Sequence, residues 1–87
     1  MPKGKRTEKL IDRRRAIEFH TERRRVGDVI AWNVTREPDR FVARPKCAMP
    51  WAPALVLQAT TLDDLRRKLP PGLCYFPGDE TTLEVWI

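Results

Sequence analysis

The strongest constraint on the fold is a regular alternation of apolar and polar residues. Ile30, Trp32 and Val34 alternate with smaller or polar residues, which is the period of a half-buried β-strand. Residues 37–40, Glu-Pro-Asp-Arg, predict a turn, because proline presets φ at the second position. Residues 41–44 are then expected to return as the second strand of a hairpin.

Prolines and a second alternation divide the rest of the chain. Residues 45–53 contain three prolines and predict a loop, because proline lacks the amide donor that a strand ladder needs. The apolar run 54–59 is suited to a third, more buried strand. After a turn at 77–80, residues 82–87 alternate again and predict the last strand.

One short helix is predicted between the third and last strands. The Thr61 hydroxyl is placed to accept a backbone N–H of the first turn, while Asp64 reaches back in a variant of the capping box. Leu62, Leu65 and Leu69 share one helical face, and Pro-Pro-Gly follows as a stop signal. The sequence therefore predicts an α+β fold: a small, mainly antiparallel sheet in β-β-β-α-β order with one short helix on one face.

The positive charge lies in the N-terminal segment. The net charge is +5, yet residues 1–25 hold ten basic and four acidic side chains, whereas residues 26–87 hold seven basic and eight acidic ones. We therefore divide the chain into a basic segment, 1–25, and an α+β domain, 26–87. Residues 1–6 are expected to be disordered. Residues 7–25 contain neither Gly nor Pro and predict a helix, although 17–21 also alternate like a strand.

Composition and motifs argue against catalysis. No apolar run could span a bilayer and no signal-peptide core follows Met1, so a cytoplasmic location is expected. Cys47 and Cys74 are too few for a disulfide framework and are expected to be reduced. The chain contains no serine and no phosphate-loop or dinucleotide motif. Its one histidine, His20, is expected at the surface. One histidine and two distant cysteines do not supply the about four ligands that zinc needs. We therefore predict no enzymatic activity, no cofactor and no metal.

Two features remain as candidate binding sites. The first is a pair of arginine triplets: Arg13, Arg14, Arg15 and Arg23, Arg24, Arg25. An intact helix would present this charge along much of its length, which suits a nucleic-acid backbone; an acidic protein partner and a role in solubility are the alternatives. The second is the proline-rich loop, where Met49 and Trp51 suit a protein contact, unless Trp51 folds back over the sheet.

Residues 54–73, ALVLQATTLDDLRRKLPPGL, resemble a segment of short uncharacterised bacterial proteins. In those proteins a strand is followed by Ala-x-Thr-Leu, an amphipathic helix and Leu-Pro-Pro-Gly-Leu. The β-β-β-α order with a Thr-Leu-Asp helix start is also similar to HicB-like antitoxins, whose junction commonly reads Asp-Thr-Leu-Glu-Glu-Ala. Small basic proteins of this kind also occur among phage and mobile-element inhibitors of host defence complexes, including CRISPR inhibitors.

These observations support two hypotheses about function. The first is a small non-enzymatic protein that contacts nucleic acid or a nucleoprotein complex through its basic N-terminal segment. The second is a protein-binding inhibitor or antitoxin-like regulator of bacterial or phage origin, for example a blocker of a host defence complex. No membrane contact is expected, and a homodimer formed through a sheet edge is an open option.

Overall fold

A six-stranded sheet with two helices forms the protein in a computed structural model that describes residues 8–49 and 54–87. In chain order the elements are β1 (Lys9–Leu10), α1 (Arg13–Arg25), β2 (Ile30–Glu37), β3 (Arg40–Cys47), β4 (Leu55–Ala59), α2 (Leu62–Lys68), β5 (Tyr75–Pro77) and β6 (Glu84–Trp86). The spatial order of the strands is β1-β4-β3-β2-β6-β5, and among them the β1–β4 pair is parallel. The α+β class and the mostly antiparallel sheet are confirmed. The predicted β-β-β-α-β order with one short helix does not match exactly, because β5 is added between α2 and the last strand, and β1 and the second helix, α1, precede this part of the sheet.

The β2–β3 hairpin is the centre of the sheet and matches the predicted alternation. Ile30, Trp32 and Val34 are buried, and the residues between them are half-buried. Val34 pairs with Ala43 of β3, which pairs in turn with Leu57 of β4. All of these buried residues belong to one hydrophobic cluster to which both helices contribute. This inner face of the sheet is therefore the face that the helices cover.

Pro45 lies inside β3, where the sequence predicted a loop. The strand continues to Cys47, two residues past the proline. Opposing residues of an antiparallel pair alternate between hydrogen-bonded and non-bonded positions. Since the Ala48 N–H donates to the Val29 carbonyl at 3.0 Å, Pro45 opposite Trp32 occupies a non-bonded position. Its missing donor costs the β2–β3 ladder nothing, and the predicted loop is wrong for its first three residues.

The start of the chain adds a strand that the sequence did not predict. Within β1, the Lys9 N–H donates to the Ala54 carbonyl at 2.8 Å, and the following Ile11 N–H donates to Val56 at 3.0 Å. These bonds hold the segment parallel to β4 in an extended form. The predicted helix over residues 7–25 is therefore wrong for residues 8–12. Residue 7 and the expected disorder of residues 1–6 lie outside the described part of the chain.

The helix α1 begins at a cap and packs into the core. The Asp12 carboxylate accepts the Arg15 N–H at 2.9 Å, which satisfies one of the unpaired amides of the first turn. Ala16 and Phe19 are buried, and the Phe19 ring meets the Trp32 ring edge-on, with centroids 6.2 Å apart. The buried face of α1 thus includes Ala16 and Phe19.

A Schellman turn ends α1. The Gly27 N–H donates to the Arg24 carbonyl and the Asp28 N–H donates to the Arg23 carbonyl, both at 3.0 Å. Gly27 has φ of 87°, a left-handed conformation that favours glycine. This turn reverses the chain directly into β2 and places Asp28 beside the helix end.

The predicted cap of α2 is confirmed in part. The Thr61 hydroxyl accepts the Asp64 N–H at 3.1 Å, as the sequence indicated. The Asp64 carboxylate, however, accepts from Arg67 at 3.2 Å, so it is engaged along the helix. Leu65 and Leu69 are buried in the core, which confirms the predicted apolar face.

The last part of the sheet contains one more strand than the sequence predicted, and its inner face carries a glutamate. β5 adds an edge strand that pairs with β6, and β6 covers only the middle of the alternating run 82–87. Glu84 pairs with Val34 on the inner face and is buried, whereas Leu83 and Ile87 are exposed. The ion pair that Glu84 forms with Arg66 explains why a glutamate occupies this inner position.

Gly78 permits the tight turn between β5 and β6. A Cβ at this residue would lie 1.7 Å from the Thr82 carbonyl oxygen, which no side chain could tolerate. The Asp79 carboxylate accepts the N–H groups of Thr81 at 2.9 Å and Thr82 at 3.0 Å. None of the described helices combines the length and apolar character that crossing a membrane would require.

Candidate nucleic-acid interface

An open groove of about 730 Å³ lies where α1 begins, between α2, the β2–β3 turn and the end of β4. Its charged lining consists of Arg13, Asp39, Arg40, Asp64, Arg67 and Lys68. Four of these side chains are basic and two are acidic, so the groove carries a net positive charge. The cations come from α1, β3 and α2, which are distant in sequence and meet only in the folded chain.

The orientation of α2 decides which of its three consecutive basic residues reach the groove. Arg66 turns inward and forms an ion pair with the buried Glu84, whose Oε1 it contacts from Nε at 3.1 Å. The Arg66 hydrogen bonds outweigh burial and lower the pKa of Glu84. Arg67 and Lys68 remain at the groove, where the Lys68 ammonium donates to the Gln58 carbonyl at 2.9 Å.

Arg13 and Arg40 are the cations best placed for a ligand. Both are exposed, and neither forms an ion pair with any residue in the described ranges. Arg67, by contrast, shares its charge with Asp64 at 3.2 Å. An unpaired guanidinium presents several donors in a planar fork that matches phosphate oxygens.

The rest of the first arginine triplet continues from the groove onto the exposed side of α1. Arg14, with 88% of its side chain exposed, lies 3.7 Å from a Glu18 oxygen, and Arg15 lies 3.9 Å from the other. Exposed pairs at these distances are weak and screened by salt. Both arginines therefore stay accessible to a competing anion.

The second arginine triplet has a different environment. Arg23 lies against Asp28, with Nη2 to Oδ2 at 2.7 Å and Nε to Oδ2 at 2.9 Å. The Asp28 side chain is 0% exposed, and its other oxygen accepts the N–H groups of Val29 and Met49. Burial raises the pKa of Asp28, but these hydrogen bonds outweigh it and leave the pKa below its usual value. Arg23 is therefore engaged by Asp28 inside the protein, and we do not include it in the proposed phosphate contact.

Arg24 and Arg25 lie at the far end of α1. Arg25 follows Arg14 by eleven positions, which corresponds to about 16 Å along the helix axis and only about 20° around it. The acidic side chains of Glu18 and Glu22 lie between them on this side of α1. Arg24 and Arg25 are exposed but do not line the groove. The six predicted arginines therefore do not form one continuous surface.

His20 is buried, although the sequence placed it at the surface. Its residue is 7% exposed, and its Nδ1 accepts the indole N–H of Trp32 at 3.1 Å. Burial, reinforced by the nearby charge of Arg24, lowers the pKa of His20. His20 is buried because it follows Phe19 on the core side of α1, where Trp32 needs an acceptor for its indole N–H.

Of the two residues predicted to contact a protein, the structure describes Met49 and not Trp51. Met49 is 37% exposed, and its backbone N–H donates to Asp28 at 3.0 Å. Trp51 lies outside the described residues. The sequence analysis did not identify Arg40, Arg67 and Lys68 as site residues. The basic run at the end of α2 can be read from the sequence, but the sequence does not show that this run lies close to Arg13.

No group of side chains within residues 8–49 and 54–87 is arranged to hold a metal ion. Comparison with known proteins finds no matching family model, no matching curated protein and no matching solved structure. Only the geometry and charges of the described residues therefore bear on function.

Proposed function

We infer that the protein binds nucleic acid, without catalysis, through the basic groove and the adjoining first arginine triplet. One observation carries this proposal: Arg13, Arg40, Arg67 and Lys68, from three separate elements, surround one open groove. Clustered cations on a concave surface suit a chain of phosphates, because each neutralised phosphate releases condensed counterions.

The chemistry of the groove favours backbone contact over base recognition. Among the residues that the structure describes, none that lines the groove is an aromatic side chain on which a base could stack. Arg13 and Arg40 offer guanidinium forks, and Arg14 extends the charge along α1. We therefore propose binding with little sequence preference and a steep dependence on salt.

The proposal is tested by fluorescence anisotropy with labelled 20-base single-stranded and duplex DNA and RNA, over a series of salt concentrations. We expect the affinity to fall steeply as salt rises. Arg40→Gln should weaken binding and reduce the salt slope by about 1, because one phosphate contact is lost.

Lys46→Gln is the matched control. Lys46 is an exposed residue on the same strand as Arg40 but does not line the groove. The substitution therefore removes one positive charge, as Arg40→Gln does, at a position outside the groove. It should retain nearly wild-type affinity. Binding that is absent at low salt, or equal losses in the two variants, would refute the proposed interface.

A protein-binding regulator is the second candidate, favoured by exposed apolar side chains at the β5–β6 corner. Phe76 is 48% exposed and pairs with Val85, while Leu83 and Ile87 flank β6 and are also exposed. The free edge of β5 is a poor template for a sheet-edge homodimer, since Pro77 removes one of its donors. If this candidate is right, affinity for a nucleoprotein complex will survive salt that abolishes binding to bare nucleic acid.

A further inference from the structure

A second pocket, of about 330 Å³, lies near the other end of α1 and is separate from the groove. It is lined by His20, Arg24, Asp28, Val29, Ile30, Gly72, Cys74 and Ile87. Three groups with polar or charged side chains thus meet a wall of apolar atoms. None of the groove cations lines this pocket, so its chemistry is independent of the proposed function.

The hydrogen bonds around the pocket determine which donors it offers. His20 Nδ1 accepts from the Trp32 indole, so the neutral imidazole carries its proton on Nε2. Arg24 is one helical turn along at i+4, and its charge acts on His20. Within the described ranges Arg24 forms no ion pair. One guanidinium and one neutral N–H donor are therefore available together.

We propose that this pocket binds a carboxylate group attached to a small apolar body. The two oxygens of a carboxylate match one bond from Arg24 and one from the His20 Nε2–H. Val29, Ile30 and Ile87 supply the apolar wall. The carboxylate comes from a small free acid or from the C-terminus of a peptide, since both present the same chemistry.

The charge on Asp28 makes the pocket selective for a singly charged ligand. Its carboxylate is ionised and already bound to Arg23 and two backbone N–H groups, so it offers no donor. A dianion such as phosphate would bring a second negative charge towards this wall, where like charges repel. Cys74 and Ile87 exchange backbone hydrogen bonds at 2.7 and 3.0 Å, which fixes the opposite wall.

The test is a titration of the full chain followed by NMR at pH 7.5 and constant ionic strength. The probes are sodium propionate, the acid form of N-acetyl-trialanine, its amide, and inorganic phosphate. The reporters are the indole N–H of Trp32 and the imidazole nitrogens of His20. We expect saturable shifts with propionate or with the peptide acid, weaker binding of phosphate, and no binding of the amide. Whichever of the two acids binds more tightly identifies the source of the carboxylate.

Arg24→Gln should weaken carboxylate binding about tenfold or more, because a charge-assisted hydrogen bond is lost. Arg25→Gln is the matched control, since it removes the neighbouring charge on the same helix but lines a different surface. The proposal is overturned if neither acid gives a saturable shift, if phosphate binds more tightly than both, if the amide binds as well as the acid, or if the two variants lose affinity equally.

Discussion

The two arginine triplets of α1 are identical in sequence and different in structure. In the first, all three side chains remain accessible, and Arg13 reaches a groove that α2 and the β2–β3 turn complete. In the second, Arg23 is held by the buried Asp28, and only Arg24 and Arg25 face outward. A run of basic residues therefore does not define a binding surface until the contacts of each member are known.

The same division occurs in α2. Arg66 pairs with the buried Glu84, while Arg67 and Lys68 line the groove. In both helices one arginine of a basic triplet anchors the helix to a carboxylate on or beside the sheet, and its neighbours remain available to a ligand. A buried charge of this type is expensive to leave unpaired. Substitution of an anchoring arginine should therefore lower the stability of the fold, whereas substitution of a ligand-facing arginine should weaken ligand binding and change stability little.

The largest effect is expected where α1 itself is attached to the sheet. Phe19→Ala removes a ring that is 3% exposed and packed against Trp32, and should lower the free energy of unfolding by about 3–5 kcal/mol. Urea denaturation measures the change. Ile17→Ala, on the half-buried side of the same helix, should cost clearly less. Equal and small losses of unfolding free energy in the two variants would mean that Phe19 does not anchor α1 to the sheet.

A smaller effect separates the members of the second triplet. Arg23→Gln leaves the Asp28 carboxylate without its charged partner and should destabilise the protein by roughly 1–3 kcal/mol. Arg25→Gln removes an exposed charge and should change stability by less than about 0.5 kcal/mol. Thermal or urea denaturation of both variants gives the comparison. If they melt alike, the Arg23–Asp28 pair does not anchor the helix end.

The smallest effect concerns pH. Because the pKa of His20 is lowered from 6.5 in the folded chain, the unfolded chain binds the proton more tightly. The contribution of neutral His20 to stability is therefore full above pH 6.5 and is lost as the pH falls through the lower folded pKa. Urea midpoints measured from pH 7.5 to 5 should decline in the wild type, and the decline should be shallower in His20→Gln. Parallel declines would show that another group causes the effect.

Much of the fold could be predicted because its signals are local. The alternation of Ile30, Trp32 and Val34, and the Thr61 cap of α2, depend on residues close together in sequence, and both are confirmed. Pro45 was misinterpreted because a proline reads as a strand break, whereas its tolerance depends on which strand edge its nitrogen faces. That orientation is set by pairing with β2, which is not visible in the sequence.

The site was harder to predict because its residues meet only through tertiary structure. Arg13 was identified from a run of like charges. Arg40 belonged to the predicted turn at 37–40 and begins β3, and Lys68 stands at a helix end, so each had an adequate local explanation. His20 was expected at the surface, and the burial of Glu84 was not predicted, for a related reason. A polar side chain is buried when a distant partner such as Trp32 or Arg66 satisfies it, and no local pattern reports that partner.

We propose that a nucleic-acid backbone contacts the groove end of α1 and does not follow the whole helix. The most direct test compares the salt dependence of DNA binding for Arg13→Gln/Arg40→Gln and for Arg24→Gln/Arg25→Gln, which remove equal charge. We expect the first pair of substitutions to weaken binding and to reduce the slope of log K against log salt by about 2, and the second pair to change the slope by less than about 0.5. Equal reductions in the two pairs, or a wild-type affinity that does not vary with salt, would contradict it.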